Sequence, residues 1–526
     1  MKKIITLAAL SAVMSVYAQD TYVNNQITNQ ADVIGTSRYV SMGGAMGALG
    51  ADISTISSNP AGIGMMKKND ISLTVGGNWG ADNSAKGYSN GGITLDQAGI
   101  VASFPMEGKL RNFNIAFNYQ RKINYRQAFY GQVETGASFA DQLYDMATVV
   151  EQRGTFNPWD QHHKSIYGAA SAGKLWTGAN ALGNSTWSSA SGSLNSFDFN
   201  LSANVQDQVF LGLTFGMDRL DWRQSTEMWE QRNGDIAGQE TQDFAYMNDQ
   251  HITGNGFNFK IGTIIRPVKD NPFRIGLTIE SPTWYRLEYA DDQSLSTKYY
   301  YQSKEDFEAG IATYDPTARK YYDYYAETDN YLRYRLTTPW KFRGQLGTTF
   351  GKSVALGAEY EYALYQNTSM SYPDGYGHWI KDLDINAWTR DMIRGQHTLR
   401  LGIEYKPIEG LSLRAGYNYI TSIYNYITSI YKPGAFWDAA LSPDCYVANA
   451  VDYPTSFQYM NLGDTHIATA GLGYRNKKFY LDLAYKYRIQ NGDYYAFSSR
   501  HTGAEMSAIP VDLSRHSISA TIGFKF

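Results

Sequence analysis

The sequence predicts an all-β fold, a closed antiparallel transmembrane β-barrel of about 14 strands. Three observations predict it: an export signal with no later membrane helix, apolar residues recurring with period two, and connections alternating between short and long.

The export signal comes first along the chain. Lys2 and Lys3 precede an apolar core from Ile4 to Val13, and Val16-Tyr17-Ala18 fits the small-residue rule at a cleavage site, giving a signal peptide over 1–18. The apolar run is too short to span a bilayer, and no later stretch reaches the roughly 18 apolar residues a spanning helix needs. A single cysteine, Cys445, excludes an intrachain disulfide, so a large exported chain must be stabilised by other means. Charged residues make up 18% and the formal net charge is -4, which gives no electrostatic reason to bind nucleic acid.

Alternation is clearest near the C-terminus. Phe479, Leu481, Leu483, Tyr485, Tyr487 and Ile489 alternate with Tyr480, Asp482, Ala484, Lys486 and Arg488. The final segment sets Ile518, Ala520, Ile522, Phe524 and Phe526 against Ser517, Ser519, Thr521, Gly523 and Lys525. Period two is strand geometry. Strands are expected near 69–79, 95–104, 111–125, 194–205, 208–221, 252–266, 272–290, 331–351, 353–366, 397–406, 411–424, 464–475, 478–490 and 515–526. A soluble sandwich also alternates. Here the face opposite the apolar one is rich in glycine and small residues with charges of both signs, such as Glu359, Arg400, Glu404 and Arg414, which suits a polar lumen. Tyrosine gathers toward strand ends, where an interfacial girdle would lie.

After the second strand, short joins (105–110, 206–207, 267–271, 352, 407–410, 476–477) alternate with long ones (126–193, 222–251, 291–330, 367–396, 425–463, 491–514). Short periplasmic turns and long external loops produce this sorting. Pro282 and Pro339 fall inside expected strands, and each should mark a bulge or a strand end outside the bilayer.

Ahead of the first strand, at 19–68, stands a segment expected to be a plug, leaving 69–526 for the barrel and its loops. It carries Gly43, Gly44, Gly47 and Gly50, followed by Asn59-Pro60-Ala61-Gly62. This pattern resembles the FadL-type outer-membrane transport proteins, the long-chain fatty acid and toluene transporter family, whose N-terminal hatch contains an Asn-Pro-Ala segment. The resemblance implies a fourteen-stranded barrel in the outer membrane of a Gram-negative cell, closed by that hatch. It implies passive transport of hydrophobic small molecules, fatty acid-like by default, captured at outer loops and held in an apolar pocket. Release would be sideways through the wall near an inward kink of the third strand, once the hatch moves. Asn59 is the residue expected to fix the hatch by hydrogen bonds.

Other motifs have plainer readings. Gly87-Tyr88-Ser89-Asn90-Gly91 fits a nucleophile elbow but sits in a Gly/Ser/Asn-rich hairpin loop with no convergent acid and base, so no catalytic residue is assigned and the chain is not read as an enzyme. His162 and His163 are adjacent and point opposite ways on an extended chain, which argues against a shared metal; a haem ligand from one of them stays open. Residues 418–424 repeat at once as 425–431, either a hairpin extension or an apolar landing patch. The tyrosine-rich run 299–334 is either a rim at the membrane interface or a capture surface. No metal or cofactor is called for; the expected partners are a hydrophobic ligand and outer-membrane lipid. An envelope secretion or assembly component of the same fold, a haem-uptake protein and a polar-solute porin remain as alternatives.

Overall fold

The computed structural model describes residues 21–29, 32–80, 92–133, 139, 181–232, 242–269, 271–300, 321–373, 376–424, 459–496 and 508–526. The elbow-like motif, His162, His163, Cys445, the second copy of the 418–424 repeat and the signal segment lie outside these residues.

Every strand pairs antiparallel with its neighbours. The wall begins with β1 (Asp70–Gly80) and β2 (Gly92–Pro105), followed by β3 (Leu110–Asn124) with its continuation β4 (Gln127–Val133). Three tall strands follow: β5 (Ala181–Val205), β6 (Val209–Arg232) and β7 (Gln242–Ile265). Next come β8 (Arg274–Glu280) with β9 (Trp284–Tyr300), and β10 (Tyr321–Thr337) with β11 (Lys341–Phe350). Then β12 (Val354–Ala363) is extended by β13 (Ser369–Pro373), and β14 (Trp379–Lys381) precedes β15 (Gln396–Tyr405). The ring finishes with β16 (Leu411–Ile420), β17 (Tyr459–Arg475), β18 (Phe479–Tyr495), β19 (Ile509–Asp512) and β20 (Arg515–Lys525). Taken with their continuations these make fourteen wall strands. β20 closes the ring on β1, from Asp70↔Lys525 to Gly80↔Arg515, and Asn69 and Phe526 exchange backbone hydrogen bonds at the seam. Closure pairs the first strand with the last, so neither end of the sheet is left as an edge that a bilayer would not tolerate.

The two prolines interrupt the wall as expected. Pro282 separates β8 from β9 and Pro339 separates β10 from β11, because neither can donate to a ladder. The breaks lie side by side and satisfy each other: Thr283 N donates to Thr338 Oγ1 at 2.8 Å and Thr338 N to Thr283 O at 3.1 Å. The stretch 367–396, expected as loop, also holds β13, β14 and a helix, α1 (Leu383–Met392).

Burial is inverted relative to a water-soluble protein. Large apolar side chains point outward and exposed all round the ring, among them Ile71, Phe117, Phe215, Leu277, Leu346, Leu401, Leu483 and Phe524. The intervening residues are buried and polar, among them Asn114, Asn118, Asn200, Thr214, Thr398 and Thr521. Only a wall bathed in hydrocarbon makes such an arrangement stable, so the sandwich reading is excluded. No helix among the described residues is long and apolar enough to cross a membrane; the strands do so.

Candidate functional site

The bore is occupied by the chain's own beginning. Residues 32–66 fold into short helical turns rather than strands, each started by a side-chain cap. Thr36 caps a short helix over Ser37–Ser41 and Asp52 caps a 3-10 turn over Ile53–Ser57. Asn59 caps a second 3-10 turn, Pro60–Met65, by accepting from Ala61 N at 3.1 Å, with Pro60 at the first position, where a missing N–H costs nothing.

Contacts with inward residues on opposite sides of the ring place this segment within it. Ser37 N donates to Thr521 Oγ1 of β20 at 2.7 Å, and Thr469 of β17 donates to Ser41 O at 3.1 Å. Arg274 of β8 donates to Leu49 O at 2.7 Å, and Asn112 of β3 donates to Gly64 O at 3.0 Å. Asn59 spans two strands: its amide donates to Gln345 Oε1 of β11 at 2.7 Å and to Thr263 O of β7 at 3.1 Å. Two charge contacts add to these. Lys486 of β18 donates to Asp32 Oδ1 at 2.5 Å and to Val33 O at 3.0 Å. Arg38 lies 3.1 Å from Glu404, which also accepts from Arg414 at 2.7 Å. An apolar cluster of Val33, Tyr39, Val40, Met42, Met46 and Leu49 packs with Ile420, Ile467 and Ala484 of the wall.

The glycines have two roles. Gly43, Gly44 and Gly50 of the inner segment have φ of +61°, +75° and +62°, a region costly for residues bearing a Cβ. Gly47 and Gly62 have no such requirement; a Cβ would meet Gln345 at 2.7 Å and Thr55 Oγ1 at 2.6 Å respectively. The second role belongs to the wall and was missed in the sequence. Gly347, Gly357, Gly402 and Gly416 stand in one row across β11, β12, β15 and β16. A Cβ at Gly357 would collide with Ala45 O, one at Gly402 with Met42 O, and one at Gly416 with Gly43 N. On the other side Gly212 meets the backbone of Pro60 and Ala61 in the same way. The glycine-rich inner face is a seat for a backbone lying flat against it.

Above the segment lies a cavity of about 170 Å3, bounded by Val33, Ile34, Tyr39, Ser57 and Ser58 from within and by β3, β7, β8, β11, β12 and β15 from the wall. Its lining is charged rather than apolar. The inward rows of these strands carry Lys, Arg, Glu and Asp, and the segment supplies serines. Six cations (Arg121, Lys122, Lys260, Lys341, Arg343, Arg400) face five carboxylates (Asp32, Asp218, Glu280, Glu359, Glu361). Most are paired: Lys122 with Asp218 at 2.8 Å, Arg343 with Glu280 at 2.6 Å and Glu361 at 2.5 Å, and Arg400 with Glu359 at 2.7 Å. Lys260 differs. Its side chain is 1% exposed, its ammonium makes no hydrogen bond, and its nearest carboxylate oxygen, on Asp198, is 3.9 Å away. Lys341 has no ion pair among the described residues.

The wall beside this cavity is interrupted. β2 pairs with β3 from Pro105↔Asn112 to Gln97↔Gln120, yet β2 continues five residues further, to Gly92, without that partner. β3 shifts register between Arg121 and Ile123 and breaks at Tyr125, whose hydroxyl donates to Ile27 O at 2.5 Å. β4 then pairs only with β5 and leans toward β18 and β19, setting Phe129 against Tyr494 with ring centroids 4.6 Å apart. The third wall strand therefore kinks inward and leaves a gap against β2.

A closed lipid-facing barrel with the segment 32–66 packed against its inner face defines an outer-membrane-type β-barrel. Its fold is that of the FadL-type transport proteins: the chain superposes on a crystal structure of a Pseudomonas aeruginosa FadL homologue with a TM-score of 0.51 at 14% identity, covering 94% of this chain and 99% of that one. The CymD monoaromatic hydrocarbon channel aligns over 94% of this chain and 97% of its own at a TM-score of 0.47 and 10% identity. The P. putida toluene transporter TodX aligns over 94% and 99% at 0.44 and 13%. No family model and no curated sequence matches the chain.

Proposed function

We propose that this protein is a passive outer-membrane transporter for hydrophobic small molecules bearing an anionic head, long-chain fatty acids being the default class. Residues 19–68 act as the hatch, with Asn59, Pro60, Ala61 and Gly62 at its floor. Ligand enters from the outer loops and leaves through the gap between β2 and β3 once the hatch shifts. Lateral exit passes an apolar chain to hydrocarbon without crossing water, which removes a cost of about 25 cal/mol per Å2 of apolar surface.

The observation that carries the reading is Lys260. A buried ammonium without a hydrogen-bonding partner is costly, and a carboxylate arriving in the cavity would supply one. A wholly apolar cargo gains nothing from it. Binding of laurate and methyl laurate to the purified full-length protein, compared by calorimetry, tests the reading. Laurate should bind at least about tenfold more tightly, a difference that Lys260→Met should erase, since charged hydrogen bonds contribute roughly 1.5–3 kcal/mol. Equal affinities in the unaltered protein would overturn it.

A further inference from the structure

We propose that the outer wall carries a site for a phosphorylated lipid of the outer leaflet, built from three histidine–tyrosine clusters and the apolar groove beneath two of them. The clusters repeat one design. The Tyr360 hydroxyl lies 2.6 Å from His397 Nδ1, Tyr417 2.7 Å from His466 Nδ1, and Tyr485 2.7 Å from His516 Nδ1. In each, a second tyrosine two residues on packs its ring against the same imidazole: Tyr362 at 4.8 Å, Tyr419 at 5.2 Å and Tyr487 at 4.4 Å between centroids. A Tyr-x-Tyr strand (β12, β16, β18) thus alternates with a histidine strand (β15, β17, β20).

The three histidines share one height. His397, His466 and His516 lie eight, nine and nine residues above the short-turn ends of their strands, Tyr405, Arg475 and Lys525. At about 3.3 Å per residue on strands tilted about 40°, this is roughly 22 Å, the outer rim of an apolar band about 25 Å tall. On the opposite half of the ring Phe197, Met217 and Phe257 occupy the same height, eight residues up β5, β6 and β7. An ordinary apolar girdle suffices there, so anchoring alone does not account for the histidines.

Where the tyrosine hydroxyl donates to Nδ1, or where the ring is protonated, each imidazole keeps an Nε2–H donor. No described residue hydrogen-bonds these Nε2 atoms. The nearby Asp464 carboxylate is already taken by the Tyr419 hydroxyl at 2.5 Å and Ser422 N at 2.7 Å. A row of outward donors at headgroup height fits an acceptor-rich phosphate. Below it, a groove of about 540 Å3 opens on the lipid face, where Ala358 and Ala415 stand among Leu346, Leu356, Leu401 and Ile403. Tyr417 borders the groove and holds His466, so acyl chain and headgroup positions are continuous.

Native mass spectrometry of the detergent-purified protein, incubated with bis-phosphorylated or dephosphorylated lipid A, tests this. The unaltered protein should retain the phosphorylated form at least about tenfold better. The combined His397→Phe, His466→Phe and His516→Phe variant should retain both forms alike. Ala358→Leu with Ala415→Leu, which fills the groove, should lower retention of both. Equal retention of the two forms by the unaltered protein overturns the proposal even where the triple variant fails to fold. Undiminished preference in a triple variant that folds overturns it as well.

Discussion

The Asn59 side-chain amide donates to Gln345 Oε1 at 2.7 Å, joining the inner segment to the wall across 286 positions of sequence. Gln345 returns a bond from its own amide to Ser58 O at 3.3 Å and is 1% exposed. Asn59→Asp keeps the oxygen that caps the turn at Ala61 but loses both donors. It should destabilise docking by about 1–3 kcal/mol, making release roughly five- to 150-fold more frequent. Faster deuterium uptake over 33–66 with an unchanged barrel, and bursts of ion conductance in planar bilayers, are the expected readouts. Unaltered exchange would mean that the pair does not hold the segment.

The glycine seat separates steric fit from strand stability. Gly357→Val sets a branched side chain against Ala45 O, and overpacking of this kind typically costs about 1–3 kcal/mol. Gly344→Val, on β11, has nothing within 4 Å of its Cβ. The first substitution should raise conductance and expose residues 33–66 to protease, and the second should do neither, with both barrels keeping their heat-modified gel mobility. Equal behaviour of the two would remove the seat.

The fourteen strands were legible because each carries its own local alternation, and the prolines were legible because a missing donor is a property of the residue itself. The height of β5, β6 and β7 was not. Sequence places their outer ends near 194, 221 and 252, whereas β5 starts at Ala181, β6 runs to Arg232 and β7 starts at Gln242. Above the bilayer the contrast between faces fades, since outward residues such as Ser185 and Ser225 no longer face hydrocarbon. The seat was invisible for a different reason. Gly357 is explained by Ala45, 312 positions earlier, and no local window contains both. The charged cavity was hidden likewise: Lys122 finds Asp218, and Arg343 finds Glu280 and Glu361, only once the ring is closed.

Docking of the segment should weaken in acid. Burial alone would push the Asp32 carboxyl up, but Lys486, Arg488 and Arg515 facing it hold it below the usual carboxylate range. A group whose pKa is depressed on docking contributes stability that is fully present above its free value, about 3.9, and is lost as pH falls through the docked value. Hydrogen exchange over 33–66 should therefore be flat from pH 7 to about pH 5 and accelerate below about pH 4, after correction for intrinsic rates. Asp32→Asn should exchange faster at neutral pH and lose that acid dependence. An unchanged acid limb in the variant would assign the effect to another carboxylate.

If cargo leaves sideways, a substitution at the break between β2 and β3 should separate binding from exit. Beyond Gln97↔Gln120 the β2 margin carries Asp96, Leu95, Thr94 and Ile93, and Thr94 Oγ1 donates to Asp96 Oδ1 at 2.7 Å beside the opening. Thr94→Trp adds bulk at that margin while touching neither the Lys260 cavity nor the Asn59 floor. If cargo leaves here, uptake of radiolabelled laurate into cells or proteoliposomes should fall severalfold, while equilibrium binding to the purified variant stays as it was. A vertical route through the bore predicts the reverse sensitivity: flux would ignore Thr94→Trp and rise in Gly357→Val, whose segment no longer seats. Comparing the two variants in one uptake assay decides between the wall and the bore as the way out.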